Sequence, residues 1–587
     1  MSQKLISIIT LILLTTLLSA CLSAEGKPTE ILIQPSPTQD SIPPTATPAA
    51  VEPTQPPPAE PRPYAPAEEG TPITARNEYF SGSGLCVTCH RDNIDQVGND
   101  VSLNEFWLGS MMAHSAVDPY YLAGVSMNVA KFPEYSEAIQ SKCSSCHMPM
   151  AHTSANFKGE KSLIFGPDGF LNPGHPLHEL ARDGNSCSAC HQIQDKNLGE
   201  FSSFSGGFVI DDTTPLGERA LFGRFNLHHM SQRMMAMASG FISLQGDHLL
   251  ESEICATCHN LYTHYVLEDG TFSEEWFPEQ TPYSEWLHSD YATQSTCQDC
   301  HMPAAEGAVL LSNLGPAVPR EPFAQHSFLG GNAYMLDILI NYGGELGVQA
   351  GPEQLDPAIE RTVAFLENET ARLEISAPVL DSSHLEFDII TTVLTGHKFP
   401  TGYPSRRAWL HVVVKDGDGE VFFESGAVGE DGSIAGNAND EMGNDYEPHY
   451  ELIHAQDQVQ IYETILADVQ GNNTTVLLAA ASYLKDNRLL PTGFNKETAN
   501  EDIKPKGEAL VDGNFTSGRD IVRYRIDPAG TSGPYTVEVQ LLYQSISYRW
   551  AMDLREYDTE QAQLFSEYYD ASPNLPVVIA SQAVVVE

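Results

Sequence analysis

Five times in this chain the spacing Cys-x-x-Cys-His recurs: Cys86-Cys89-His90, Cys143-Cys146-His147, Cys187-Cys190-His191, Cys255-Cys258-His259 and Cys297-Cys300-His301. A random chain of the same composition would hold roughly 0.007 such motifs. Chemistry explains the spacing: two thiols one helical turn apart add to the two vinyl groups of a haem, and the next residue turns an imidazole onto the iron. Zinc knuckles and thioredoxin-type pairs use part of this pattern, but neither calls for a histidine after every second cysteine. The expected cofactors are therefore five covalently bound haem c, with His90, His147, His191, His259 and His301 as proximal ligands. Successive first cysteines lie 57, 44, 68 and 42 residues apart, too irregular for a repeat array. With one haem per fifty-odd residues, the porphyrins themselves must supply much of the apolar core of this region.

The eleventh cysteine, Cys21, ends an apolar N-terminal run that follows Lys4 and closes in Leu18-Ser19-Ala20-Cys21. That pattern reads as a lipoprotein signal peptide over 1–20, with Cys21 lipidated. Residues 21–78 then form the lipidated cysteine and a Pro-rich stalk, whose composition cannot bury apolar surface. Export to the outer face of a bacterial membrane, at the periplasm or cell surface, is the expected localisation. With 31 Lys plus Arg against 78 Asp plus Glu, the net charge of -47 argues against nucleic acid as a partner.

Fifteen histidines fall outside the motifs, so supply does not limit a second axial ligand. Iron with two histidines is closed to substrate and suited to electron transfer. His114 is one candidate, because helical spacing puts Trp107, Met111 and His114 on one face. His178, preferred over His175, follows Pro176 at an expected first helical turn. His248 is expected on a helix capped by Asp247 that runs into the fourth motif, on the same face as His259, so it should serve a neighbouring haem. His326 lies in a Gly-punctuated loop after the last motif.

Beyond Ser327 the pattern changes. The 79–330 pentahaem region gives way to a helical connector over 331–370, with helices at Ala333 to Tyr342 and Leu355 to Leu366. Residues 371–587 alternate with period two between Gly/Asp/Asn turns and read as a β-sandwich-like domain, with strands that include Gln458 to Ile465 and Val476 to Ala481. The fold class expected is α + β in two parts: a mainly helical, loop-rich pentahaem region followed by that domain. Its Gly- and Pro-bracketed segment Thr395 to Trp409 presents His397 as a further distal candidate. Arg406 and Arg407 in the same segment are candidates for pairing with haem propionates. Lys485 to Phe494 repeats Pro-Thr-Gly and is expected to turn the chain on a facing edge.

The five motifs, the Trp107 to His114 segment, Asp183-Gly184-Asn185-Ser186 and Cys300-His301-Met302-Pro303 together resemble the multihaem c-type cytochromes related to hydroxylamine oxidoreductase and to the tetrahaem cytochromes of ammonia oxidisers. The Gly396 to Trp409 and Lys485 to Phe494 segments look like those of a subgroup with a C-terminal β-domain. The resemblance implies an electron carrier with bis-His haems, and for some members an enzyme acting on nitrogen or sulfur oxyanions. All five motifs here end in His, whereas the catalytic motif of pentahaem nitrite reductases typically ends in Lys. The expected function is thus a lipid-anchored carrier of single electrons between redox partner proteins or to an extracellular acceptor, with no residue singled out as catalytic. A terminal reductase with one open haem and a subunit of a polymeric haem wire are the alternatives.

Overall fold

Asp118 shows how the sequence starts a helix: its carboxylate accepts from the Tyr120 and Tyr121 amides, and Pro119 occupies the first turn of Pro119–Lys131. The protein, described here from a computed structural model, is defined over residues 72–587 apart from Pro316, Ala377, Ser382 and Ala529. Cys21 and the Pro-rich stretch up to residue 71 lie outside the described residues. The described residues belong to one unit, Arg62–Glu587. Among them no helix is long and apolar enough to cross a membrane.

The architecture is α + β in two parts. Up to residue 330 it consists of short helices and loops with three two-stranded sheets among them, the longest helices being Pro119–Lys131, Ser136–His147, Pro149–Lys158 and His229–Ser239. The connector helices are Ala333–Leu346 and Pro352–Glu369. Two antiparallel-dominated sheets follow. In one, Val421–Ser425, Arg407–Lys415, Tyr535–Gln544 and Val577–Val586 lie side by side, with Ile461–Tyr462 also on Arg407–Lys415. In the other the order is Leu452–Ile453, Arg519–Ile526, Leu385–Val393, Ala371–Ile375, with Val379–Leu380 on Leu385–Val393. Leu385–Val393 alternates between buried and half-exposed side chains, and Phe387, Ile389, Val522 and Tyr524 meet Leu410, Val412, Val537 and Val539 in one core between the sheets.

Several local expectations are corrected. The helix begun at Leu103 ends at Leu108, where Gly109 follows and the Ser110 hydroxyl donates to the Trp107 carbonyl, so His114 lies on a succession of turns and not on a helical face. Asp247–Leu250 is a 3₁₀ turn, and extended backbone at Glu251 separates it from Glu253–His259. His248 and His259 therefore share no helix. Val476 to Ala481 holds a 3₁₀ turn at Leu477–Ala479 in place of a strand, and Gln458 to Ile465 divides into Ile461–Tyr462 and Thr464–Ala467.

The last third also holds two helices that period-two alternation concealed, Tyr548–Leu554 and Glu560–Ala571. Trp550, Phe565 and Tyr568 from them share a core with Trp107, Met127, Phe277, Leu339 and Leu355. The Ser126 and Thr559 hydroxyls hydrogen-bond each other at 2.8 Å. The C-terminal part is thereby tied to the region that carries the motifs.

Candidate haem-binding sites

Each motif histidine sits at or just beyond the end of a short helical segment, where the chain turns and a ring nitrogen can reach a backbone carbonyl. Four of the five do so through Nδ1–H: His90 to Leu311 at 2.8 Å, His147 to Ser115 at 2.9 Å, His191 to Phe222 at 2.6 Å, and His301 to Leu329. Such a bond fixes the tautomer and leaves the Nε2 lone pair for a metal. Burial pushes all five imidazoles below the ordinary histidine range, His147 and His301 to about 4. They are neutral at physiological pH, as iron ligation needs.

Two of the distal candidates stand opposite motif histidines. His326 faces His191 with ring centres 6.3 Å apart and planes 15° from parallel; His397 faces His301 at 6.1 Å and 12°. An iron bonded to both Nε2 atoms at about 2 Å each sets ring centres a little over 6 Å apart, because a vertex of a ring with bonds of about 1.35 Å lies about 1.1 Å from its centre. His326 donates Nδ1–H to the Ala324 carbonyl at 3.1 Å and His397 to that of Lys398 at 2.9 Å, which leaves Nε2 free in both. The donor chemistry and the gap fit a bis-His haem at the third and fifth motifs.

The other three candidates are placed differently. His248 directs Nε2–H to the Ile193 carbonyl at 2.9 Å and packs its ring edge-on to Phe222, so the atom meant for iron is engaged. His114 is fully buried, donates Nε2–H to Leu108 at 2.7 Å and leaves Nδ1 without a partner. His178 donates Nδ1–H to Phe170 at 2.8 Å. Among the described residues none of these three is stacked across from a motif imidazole. His147 lies instead against Tyr121, with ring centres 3.6 Å apart and planes within 1°, and the Tyr121 hydroxyl is buried without a partner.

Across motifs, the cysteines come together. The Cys86 thiol lies beside that of Cys187, Cys146 beside Cys258, and Cys255 beside Cys297. Cys190 lies near both Cys255 and Cys258. None of the ten is paired in a disulfide. The attachment sites thus form a string: first to third, third to fourth, fourth to fifth, with the second joined to the fourth.

The two loops singled out in the sequence meet as expected. Phe399 and Leu489 exchange backbone hydrogen bonds at 2.9 and 2.8 Å. Beneath them lies a buried ion network that sequence reasoning missed. Lys398 Nζ is 2.6 Å from Asp486, Arg488 grips Asp486 through Nε at 2.9 Å and Nη2 at 2.8 Å, and Arg488 Nη1 reaches Glu285 at 2.8 Å. Glu285 also accepts from the Lys398 amide and the Thr401 hydroxyl, clamping the segment that carries His397. Nothing local in the sequence pairs Lys398 or Arg488 with Glu285.

Arg406 and Arg407 part company. Arg407 is buried and engaged throughout, by Asp440 at 2.8 and 2.9 Å, by Gln544 and by the Gly432 carbonyl, so it belongs to the sheet and is not available to a propionate. Arg406 makes one bond, from Nη1 to the Thr401 carbonyl at 2.8 Å, and is close enough to the His259 and His397 imidazoles to lower their affinity for a proton. It opens on a small cleft lined by Glu279, Tyr403 and Tyr483. Burial pushes the Glu279 carboxyl up to about 8, and the motif cysteine Cys146 lies near it.

One more cluster has ligand-type residues: His449, Asp512 and Asp520, all buried. Here the Nδ1 atom accepts from Gln460 Nε2 at 2.8 Å and Asn487 Nδ2 at 3.2 Å. Both amides are oriented by backbone donors, Tyr450 N to Gln460 and Glu463 N to Asn487. The proton is therefore assigned to Nε2, which donates to Asp512 at 3.0 Å. That tautomer offers no lone pair to a cation, and the cluster is a hydrogen-bond network within the sandwich.

No protein-family model matches the sequence, and no curated protein matches it. Among solved structures, a penta-heme cytochrome c552 from Thermochromatium tepidum is similar to this chain, with a TM-score of 0.47 and 16% identity over 86% of this chain and 98% of that one.

Proposed function

We propose that this chain is a pentahaem c-type cytochrome that carries single electrons between redox partners while tethered by a lipid on Cys21 to the outer face of a bacterial membrane. The observation that carries the reading is the pair of facing imidazoles, His191 with His326 and His301 with His397, spaced as a six-coordinate iron requires. When bound, each haem supplies an iron that accepts and returns one electron. The protein's share is to hold the ten thioether positions in a contiguous string, to present neutral Nε2 atoms, and to set the Arg406 guanidinium where propionates can pair with it. Contiguity of the attachment sites supports transfer between neighbouring cofactors over a free-standing haem at each site.

Intact mass and pyridine haemochrome spectra test this reading. Five haems per chain are expected, and four in a variant with both Cys187 and Cys190 changed to Ala; unchanged haem content in that variant refutes it. Cys21→Ser should move the protein from the membrane to the soluble fraction.

A second reading, a reductase of small oxyanions with one open haem, draws on Tyr121 beside His147 and on the cleft in which a protonated Glu279 joins Tyr403 and Arg406. A shift of the spectrum on adding nitrite or hydroxylamine would favour it.

A further inference from the structure

The helix His229–Ser239, sequence HMSQRMMAMAS, buries only Ser239 among its residues. Met237 is 78% exposed and Met230 47%, and Leu314, on the neighbouring hairpin loop, is 51% exposed. Met234 packs its thioether against Gly315, joining helix and loop into one face. Methionine-rich, half-buried surfaces of this kind suit adaptable docking. Three arginines border the face. Arg320 lies over the Phe225 ring and donates to the Asn226 carbonyl at 3.4 Å, which brings it beside Arg224; Arg233 projects from the helix. Among the described residues none of the three forms an ion pair, not even with Glu321, next to Arg320 in the chain. In a protein of charge -47, three unpaired arginines around an apolar face make a local reversal of sign.

That face adjoins the first motif. The helix packs on Gly84–Val87, the Asn313 amide donates to the Cys89 carbonyl at 3.0 Å, and Leu311 accepts from His90. In this branched string the first motif touches only the third and the second only the fourth, so the first is one of three ends; at another the fifth motif is covered by the His397 loop, and at the remaining one His147 is covered by Tyr121.

We propose that this face docks a redox protein whose own docking surface is acidic. The occupant is chosen by charge. An acidic protein is repelled by the net charge of this chain and attracted at this face, which orients the encounter with the first motif nearest. The redox character of the partner rests on the function proposed above; the acidic docking face does not.

The test uses the haem-loaded protein and stopped-flow electron exchange with two probes: a flavodoxin, as an acidic one-electron protein, and mitochondrial cytochrome c, as a basic one. For the wild type the flavodoxin rate should fall as salt rises. The triple variant R224E/R233E/R320E should lose about tenfold or more of that rate at low ionic strength and reverse the salt dependence, with the cytochrome c rate, haem content and Tm retained. R224Q/R233Q/R320Q should fall between the two and guards against misfolding of the charge-reversed chain. Unchanged flavodoxin kinetics in both variants overturns the proposal while leaving the haem count, and so the function, intact. It is equally overturned if the variants alter the haem spectrum without altering salt dependence, which would assign the arginines to propionates. Loss of a wild-type dimer in sedimentation would assign the face to self-association and overturn it too.

Discussion

Replacing Asp486 by alanine should destabilise the protein by about 3–5 kcal/mol, the cost typical of removing one partner from a buried ion pair. The carboxylate is 2% exposed and faces Lys398 and Arg488, themselves 0% and 7% exposed. Without it two cations stay buried with Glu285 as the remaining counter-charge. Burial alone would raise the Asp486 pKa, but Arg488 and Lys398 outweigh burial and hold it well below the usual carboxylate range. Because the folded pKa is depressed, the stabilisation is fully present above the unfolded value of about 4 and is lost as the pH falls below it. Thermal melts at pH 7 and pH 3 check both statements. The variant should melt lower at pH 7, and the gap between variant and wild type should narrow at pH 3. A gap that is absent at pH 7 would show that the network is not a source of stability.

The same network marks the limit of what the sequence discloses. The five Cys-x-x-Cys-His motifs stand out in the sequence because the haem attachment proposed for them dictates both residue types and spacing. His326 and His397 are legible because each stands in a Gly- or Pro-punctuated loop, where a lone imidazole has few structural uses. His248 misleads, since the inference needed an unbroken helix and the extended backbone at Glu251 breaks it. Alternation along Arg407–Lys415 does not separate the two arginines: Ala408, Leu410, Val412 and Val414 face the core between the sheets, Arg407 lies on the opposite face with Trp409, and it is buried there by Asp440 and the Gly432 carbonyl, partners that no local pattern discloses. Glu285 is a like case: its partner Lys398 is 113 residues away, and no local pattern predicts a contact of that range. Tyr548–Leu554 and Glu560–Ala571 were hidden for a related reason, as their apolar residues face the motif-bearing region and not the sandwich beside them in the chain.

Removal of the His397 imidazole should have the largest spectroscopic effect. On the proposed reading, a haem at the fifth motif of His397→Ala would keep its thioether links and His301 but lose the ring that stands 6.1 Å from His301 across the gap. One haem of the five should change from low-spin to high-spin in electron paramagnetic resonance and in the optical spectrum, and added imidazole should restore the low-spin form by filling the vacated volume. Haem content should stay at five, because the variant leaves Cys297, Cys300 and His301 unchanged. His326→Ala should do the same at the third motif. His248→Ala is the discriminating control: its Nε2 is committed to the Ile193 carbonyl, so the low-spin count should not change. If His397→Ala left every haem low-spin while His248→Ala did not, the ring separation would have been misread and the fifth motif would draw its second ligand from elsewhere. Glu285→Gln offers a graded intermediate. It weakens the grip of Arg488, which reaches Glu285 at 2.8 Å, on the loop that presents His397. The expected result is a temperature-dependent mixture of low-spin and high-spin forms at one haem, in place of complete conversion.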